Sequence, residues 1–155
     1  MLVGLHEVNS VLMRIFIALP LLIIASMTKA APIEVLVTRV IDGDTIEILI
    51  PGDTAGWNIH RTRLAGLNTP ELSSRCSTPS ARADERELAR QAKRFVEDQI
   101  TGPLMVERIG QDSFNRPLVE AWADGVSLNA ALLSNGLALP YIAGTHGKQW
   151  CPESA

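Results

Sequence analysis

Apolar and polar residues alternate in part over two neighbouring segments, Ile33 to Ile41 and Thr45 to Ile50, which are rich in Val, Ile and Thr. Between them lies Asp42-Gly43-Asp44, a strong turn signal, so the pattern predicts a β-hairpin. Pro51, Gly52 and Asp53 end the second strand. The alternation then resumes from His60 to Ala65, which predicts a third strand.

The middle of the chain changes to a helical pattern. The segment from Ser73 to Ala83 is rich in Ser, Pro and Arg and is interpreted as a loop. Apolar residues then recur at helical spacing from Leu88 to Ile100, and Thr101-Gly102-Pro103 ends the predicted helix. The charged residues from Arg82 to Arg94, Glu85 among them, are interpreted as a solvated helix face with pairs of opposite charge.

Two more strands and a second helix are predicted towards the C-terminus. The strands run from Leu104 to Ile109 and from Leu118 to Ala123, with a polar connection between them. The helix runs from about Val126 to Asn135, and Gly136 follows where a left-handed cap is favoured. Five strands and two or three helices predict an α+β fold, a five-stranded OB-like barrel with packed helices, because closing so small a sheet removes its edges.

The first thirty residues have the order of a secretory signal. Arg14 precedes an apolar run of 11 residues, and small residues before Ala31 offer a cleavage point. The run is far shorter than the roughly 20 residues that span a bilayer. We therefore expect a signal peptide over residues 1–30, with Met13 a better start than Met1, and a single domain over residues 31–155. The product is expected in the periplasm or secreted, without a membrane anchor.

Composition and charge restrict the classes of function. Hydrophobic residues make up 46% of the 155 residues and charged residues 20%, which is typical of a folded chain and excludes intrinsic disorder. The net charge is −3 at pH 7, which argues against a generally basic protein that coats nucleic acid. A site that handles phosphate must therefore depend on a few local cations.

The two cysteines, Cys76 and Cys151, fit an oxidising compartment, where a pair of thiols forms a structural bridge. We predict a Cys76–Cys151 disulfide. The alternative is a zinc site with His146, but two Cys and one His are one ligand short of a closed site and lack CxxC spacing.

Candidate chemistry lies in three short segments: Asp42 to Thr45, Arg63 to Glu71 and Asp112 to Arg116. Each has a structural explanation, since Asp-Gly-Asp is most often a turn and Asn-Thr-Pro-Glu can cap a helix or shape a loop. What favours a joint function is the chemistry that the three segments allow together.

Hydrolysis of a phosphodiester needs a cation to neutralise charge, donors for the phosphate oxygens and a carboxylate for the attacking water. Asp44 and Asn68 supply hard oxygen ligands suited to Ca²⁺. Arg63 and Arg116 supply planar donor forks that match phosphate, and Glu71 supplies a base. These residue types predict a metal-assisted phosphodiesterase site.

The same motifs resemble the staphylococcal nuclease (thermonuclease) family, in its exported bacterial branches. The resemblance rests on Val40-Ile-Asp-Gly-Asp-Thr-Ile46, Arg63-Leu-Ala-Gly-Leu-Asn-Thr-Pro-Glu71 and Asp112-Ser-Phe-Asn-Arg116-Pro-Leu118, and it covers nearly all of residues 31–155. Three ordered motifs at matching intervals are far more specific than any one of them. The resemblance implies an OB-like barrel and a calcium-dependent endonuclease that acts on DNA and RNA.

The family's roles carry over to matching positions. Asp44 and Asn68, with the carbonyl of Thr69, are implied as calcium ligands, and Glu71 as the base that activates water. The arginines implied to bind the phosphate as its charge develops are Arg63 and Arg116.

Two positions depart from the family pattern. Asn68 stands where the family usually has an aspartate, which removes a formal charge beside the metal, so weaker calcium binding is expected. Phe114 stands where the best-known member has a tyrosine, and Tyr141 is one place away from another. A phenyl ring still stacks on a base, a contact of about 1–3 kcal/mol, but it cannot hydrogen-bond a phosphate. Phe114 and Tyr141 are the predicted substrate-binding residues.

Two functions from different classes follow. The first is an exported, monomeric, calcium-dependent nuclease with DNA and RNA as substrates. Little sequence preference is expected of it, since no recognition helix for base edges is evident. The second is a non-catalytic OB-fold module that binds single-stranded nucleic acid or another anionic ligand. The joint presence of Arg63, Glu71 and Arg116 favours the first.

Overall fold

Apolar residues of the predicted hairpin face the interior of a closed β-barrel. A computed structural model of the chain describes residues 31–51, 59–144 and 148–152. The predicted signal peptide over residues 1–30 and the proposed zinc ligand His146 lie outside these residues. In chain order the elements are β1 (Ile33–Val40), β2 (Thr45–Leu49), β3 (Ile59–Leu64), β4 (Leu67–Asn68), α1 (Pro79–Gln99), β5 (Leu104–Gln111), β6 (Pro117–Ala123), β7 (Val126–Ser127), α2 (Leu128–Ser134) and β8 (Leu139–Pro140).

Five strands form the barrel. The order β3-β2-β1-β5-β6 is antiparallel throughout, and β3 then pairs with β6 in parallel through Arg63↔Leu118 and Leu64↔Val119. That last pairing joins the two ends of the sheet, which leaves the barrel without an open edge there. β7 extends the sheet beyond β6, and β4 pairs separately with β8. The predicted five-stranded OB-like barrel with two helices is confirmed.

Two interruptions of the ladder bend the strands around the barrel. The register of β1 against β2 shifts between Val37 and Arg39, and that of β5 against β6 shifts between Arg108 and Gly110. Such bulges increase local twist and allow a small sheet to close on itself.

Both helices pack on the barrel and complete its core. Helix α2 is joined to it by Asn129, which is buried, accepts the Ala121 N–H at 3.1 Å and donates to the carbonyls of Ala65 and Val119 at 3.0 and 3.2 Å. These bonds satisfy backbone groups that burial would otherwise leave unpaired. The largest fully buried apolar side chains are Ile46, Leu64, Leu67, Leu104, Leu128 and Leu132.

The segment interpreted as a loop, Ser73 to Ala83, is partly helical, and that prediction was wrong. Helix α1 begins at Pro79, with Thr78 as the N-cap whose hydroxyl accepts the Ala81 N–H at 3.2 Å. Proline is well suited to the first helical turn, because the N–H it lacks has no partner there in any helix. The start was missed because the buried face begins with alanines and Glu85 before the larger apolar residues appear.

The second helix is shorter than predicted, because Val126 and Ser127 pair with β6 as β7 before α2 begins. Gly136 does adopt the expected left-handed conformation, with a φ of 68°. Among the described residues, no helix combines the length and the apolar character that crossing a membrane requires.

Candidate active site

A tight turn between β1 and β2 presents Asp44. The Ile41 N–H donates to the Thr45 carbonyl at 2.9 Å, and the Asp44 N–H donates to the Asp42 carboxylate at 3.1 Å. A Cβ on Gly43 would lie 2.7 Å from the Ala92 Cβ, so only glycine lets this turn approach α1 as closely as it does. The turn therefore directs the Asp44 side chain inwards, against the rest of the site.

Asp44 is buried and paired with Arg63. Its Oδ2 lies 2.7 Å from Arg63 Nη2, because Arg63 is opposite Thr45 in the pairing of β2 with β3. The Thr45 hydroxyl donates to Oδ1 at 3.0 Å and the Thr69 N–H to Oδ2 at 3.3 Å. Burial raises the pKa of Asp44 to about 7, while the charge of Arg63 opposes that rise and the charge of Asp42 adds to it.

Asn68 and Thr69 lie beside this pair. Both are buried, and the pairing of β4 with β8 places Asn68 opposite Leu139. The Trp150 indole donates to the Asn68 carbonyl at 3.1 Å, which ties the C-terminal segment to the site. Within residues 31–51, 59–144 and 148–152, the Asn68 Nδ2 has no hydrogen-bond partner. A buried polar atom without a partner is uncommon and often marks a functional position.

Glu71 comes two residues after Thr69 and is half-buried. Burial raises the pKa of its carboxyl group, and the charge of Asp42 adds to this effect, whereas Arg63 and Arg75 lower the pKa. Its backbone N–H donates to Glu85 Oε1 at 3.2 Å. A carboxylate with a raised pKa is a better proton acceptor near neutral pH than an ordinary glutamate.

The loop between β5 and β6 presents Arg116 through hydrogen bonds to Asp112. Asp112 Oδ1 accepts the N–H groups of Phe114 and Arg116, both at 2.9 Å, and Oδ2 accepts from Arg116 Nε at 2.7 Å. Although desolvation raises the pKa of Asp112, the hydrogen bonds from Arg116 and Phe114 outweigh it, and the pKa is lowered. Asn115 completes the turn with a φ of 67°. One carboxylate thus shapes the loop and orients the guanidinium.

The two predicted substrate-binding aromatics lie at the rim. Phe114 is 79% exposed and Tyr141 is 56% exposed. The Arg116 guanidinium lies 5.5 Å from the centroid of the Phe114 ring, a cation–π distance. An exposed ring offers a face on which a planar group such as a base can stack.

One cleft of about 590 Å³ brings most of the predicted site residues together. Asp44 and Thr69 are buried and do not line it, but Asp44 contacts both Thr69 and the cleft-lining Arg63. Asp42 and Arg75 also line the cleft and were not predicted as site residues. The predicted residues that line it are Arg63, Asn68, Glu71, Phe114, Arg116 and Tyr141.

Glu85 was predicted on a solvated helix face, and that prediction was wrong. It is 1% exposed and contacts Glu71 and Cys76. Arg82, from the same charged run, donates to the carbonyls of Cys76 and Ser77 at 2.8 and 2.7 Å. Glu87 does form the expected surface ion pairs. The spacing of Glu85, four residues after Ala81 and four before Ala89, is the one signal that places it on the buried face.

The predicted disulfide between Cys76 and Cys151 is formed, with a Cα–Cα distance of 5.2 Å. Both sulfur atoms are therefore used, and the alternative zinc site has no free thiolates. The bridge joins the segment after Glu71 to the C-terminal segment that also carries Trp150.

The chain matches a known protein family. The family model of the staphylococcal nuclease homologues matches residues 61–150, more than half of the chain. The matched range contains Arg63, Glu71 and Arg116, and it begins after Asp44. No curated protein matches the chain significantly.

Proposed function

The chain belongs to the family of staphylococcal nuclease homologues, and from that premise we propose that it is an exported, calcium-dependent nuclease that hydrolyses phosphodiester bonds of DNA and RNA with little sequence specificity. The observation that carries the proposal is the cleft that Arg63, Glu71 and Arg116 line together. Hydrolysis of a phosphodiester uses donors that stabilise charge on the phosphate and a carboxylate that accepts a proton from water. This cleft provides two guanidinium groups and one carboxylate.

The arginines bind the phosphate. Each is held by a carboxylate, Arg63 by Asp44 at 2.7 Å and Arg116 by Asp112 at 2.7 Å, so both donor forks are oriented before substrate arrives. Donors fixed in advance stabilise the charge that develops on the phosphate oxygens without having to reorganise. Arg63 and Arg116 therefore act mainly in the transition state.

Glu71 accepts the proton of the attacking water. Water adds to phosphorus, its proton passes to the Glu71 carboxylate, and the bond to the leaving oxygen breaks with both electrons on that oxygen. The raised pKa of Glu71 brings its basicity closer to the working pH. Its position on the cleft wall gives it access to that water.

The donor set fits calcium by chemical type. Asp44 offers a carboxylate, Asn68 an amide and Thr69 a backbone carbonyl, all of them hard oxygen ligands. Asn68 is buried, and its amide nitrogen has no partner among the described residues. This supports a role for the amide oxygen, Oδ1, as a calcium ligand. When bound, calcium would neutralise charge on the phosphate, and the family is typically calcium-dependent. Arg63 already pairs with the Oδ2 atom of Asp44, so weak metal binding is expected.

The aromatic rim supports single-stranded nucleic acid as substrate. Phe114 and Tyr141 expose ring faces on which any base can stack, with a contribution of about 1–3 kcal/mol for each base. Stacking tolerates every base, so little sequence preference is expected.

Export is supported by sequence and by the disulfide. Residues 1–30 have the order of a signal peptide, and a Cys76–Cys151 bridge is typical of an oxidising compartment. We propose that residues 31–155 form the mature, single-domain monomer in the periplasm or outside the cell.

The test is cleavage of a fluorescent single-stranded oligonucleotide by the oxidised protein over a calcium titration, with a chelator control. Glu71→Gln keeps the size of the side chain and removes its basicity, so turnover should fall by about 10²–10⁴-fold while the fold is retained. Glu97→Gln, on the exposed face of α1, is the matched control and should cleave as the wild type does.

Wild-type rates in Glu71→Gln would remove Glu71 from the mechanism. Binding measured by fluorescence anisotropy without cleavage at any calcium concentration would instead identify a phosphate-binding OB-fold module.

A further inference from the structure

Glu85 is a buried carboxylate that the proposed mechanism does not use. It is 1% exposed and lies on the face of α1 that packs against the rest of the protein, between Ala81 and Ala89. Glutamate is almost never fully buried unless partner groups hold it, because burial removes the water that solvates its charge. The Glu85 carboxylate must therefore be held by the groups that it contacts.

The two oxygens of Glu85 contact two different parts of the site. Oε1 accepts the backbone N–H of Glu71 at 3.2 Å. Oε2 lies 3.2 Å from the sulfur of Cys76, which is bonded to Cys151. A disulfide sulfur carries no proton to donate, so this second contact restricts the carboxylate by packing. The disulfide thus forms one wall of the space in which the Glu85 carboxylate sits.

The segment after Glu71 is attached to the same helix at further points. Arg82 donates to the carbonyls of Cys76 and Ser77, and Thr78 caps the helix. These contacts hold the far end of the segment. Glu85 contacts the other end of the segment, at the residue that bears the proposed base.

We propose that Glu85 is a positioning residue, which holds the backbone of Glu71 so that the Glu71 carboxylate faces the cleft, with the Cys76–Cys151 disulfide restricting Glu85 from the other side. This inference rests on the proposed role of Glu71. A displacement of a catalytic group by about 1 Å can lower the rate about 10²-fold. Glu85 acts on the position of the base and not on the rings of Phe114 and Tyr141, which are proposed to bind the substrate, so kcat should fall with little change in KM.

Three variants of the oxidised full-length protein test the proposal. Glu85→Leu removes both acceptors while filling the buried space, and Glu85→Gln keeps an acceptor oxygen for the Glu71 N–H. Glu97→Leu makes the same change of side chain on the exposed face of α1. Circular dichroism and thermal unfolding check the fold, and kcat and KM are measured on one oligonucleotide at saturating calcium.

We expect Glu85→Leu to lower kcat by about 30–100-fold with KM within about threefold of wild type. Glu85→Gln should keep kcat within about threefold, and Glu97→Leu should match the wild type. A folded Glu85→Leu protein with wild-type kcat overturns the proposal. So does a Glu85→Gln protein whose kcat falls about 30-fold, whether or not Glu85→Leu folds.

Amide hydrogen exchange at Glu71, followed by NMR, tests the hydrogen bond without any use of activity. Exchange at this amide should be about tenfold faster or more in Glu85→Leu than in Glu97→Leu, and close to wild type in Glu85→Gln. Equal exchange in all three proteins overturns the positioning role. Failure of the wild type to cleave would count against the proposed nuclease function, whereas the exchange rates would still decide whether Glu85 holds Glu71.

Discussion

Asn68 is the residue at which the candidate metal site differs from the pattern that the family resemblance implies. It lines the cleft, is 5% exposed, and has an amide nitrogen without a partner among the described residues. An amide supplies the metal with one neutral oxygen, whereas an aspartate supplies a charged one. The charge of the ligands is a main determinant of calcium affinity.

Asn68→Asp should therefore strengthen calcium binding. We expect the calcium concentration for half-maximal cleavage to fall by about tenfold, because the added negative charge attracts the calcium ion. Asn135→Asp, at the exposed end of α2, adds the same charge away from the cleft and should leave the calcium requirement unchanged. If both variants need as much calcium as the wild type, Asn68 is not a ligand.

Asp112 stabilises the arginine loop through its charge, and this contribution should depend on pH. Its pKa is lowered in the folded protein, so the stabilisation is fully present above the unfolded value near 3.8 and is lost as pH falls through the folded pKa. Asp112→Asn should lower the free energy of unfolding by about 1 kcal/mol at pH 7, a modest amount because solvent screens the pair.

Urea unfolding of wild type and Asp112→Asn at several pH values measures this contribution. The two proteins should converge in stability below pH 3.8, where the wild-type carboxylate takes up its proton. If the difference in free energy of unfolding between the two proteins stays constant down to pH 2.5, the stabilisation comes from the shape of the side chain and not from its charge.

At the scale of elements, the close approach of the β1–β2 turn to α1 determines where Asp44 and Thr69 lie. A Cβ on Gly43 would stand 2.7 Å from the Ala92 Cβ and 2.9 Å from the Thr69 Cγ2. Backbone or packed side chains must then shift, since no real contact is that short.

Gly43→Ala should therefore affect both stability and activity. Overpacking of this kind lowers the free energy of unfolding by about 1–3 kcal/mol, and the shift should also lower turnover because Thr69 donates to Asp44. Gly102→Ala is the control, because its Cβ would meet nothing within 4 Å. Urea unfolding and the cleavage assay measure both effects, and equal behaviour of the two variants would show that the turn can move freely.

At the scale of the whole molecule, the C-terminal segment fastens the site at two points. Trp150 donates to the Asn68 carbonyl, and Cys151 is bonded to Cys76, 75 residues away in sequence. These contacts enclose the segment that carries Asn68, Thr69 and Glu71. The loop closed by the disulfide is long, and a cross-link that closes a long loop removes much of the unfolded chain's entropy.

Reduction of the disulfide should lower the free energy of unfolding by about 4 kcal/mol or less, the limit of the chain-entropy model for such a loop. Urea unfolding with and without reductant measures the effect. The double variant Cys76→Ser, Cys151→Ser is the control and should not respond to reductant. A wild-type protein equally stable in both conditions would show that the unfolded state retains the contacts of the C-terminal segment.

Local patterns were sufficient to predict much of the fold. The period of two in β1 and β2 and the Asp-Gly-Asp turn belong to neighbouring residues, so they are visible in the sequence. The start of α1 was missed because proline and serine are as common in loops as at helix N-termini, and the small alanines that follow carry little hydrophobic signal.

Some residues of the candidate site could be predicted from the sequence, and others could not. Its motifs predicted Arg63, Glu71 and Arg116 as a group by residue type, and the structure places all three on one cleft. Glu85 was not predicted because it belongs to a run of charges that looks like an ordinary solvated surface, and Arg75 was not predicted because it lies among serines in a segment that was interpreted as a loop. A buried carboxylate is recognised only when the surfaces that cover it are known.

The sequence by itself therefore determined the five strands of the barrel, the cysteine pair and the residue types of the site, since periodicity and motif chemistry are properties of short segments. Only the tertiary structure decided that β3 meets β6 to close the barrel, that Arg63 pairs with Asp44, and that Glu85 lies between Glu71 and the disulfide. The physical reason is that burial and ion pairing depend on which distant surfaces meet, and no local pattern encodes that meeting.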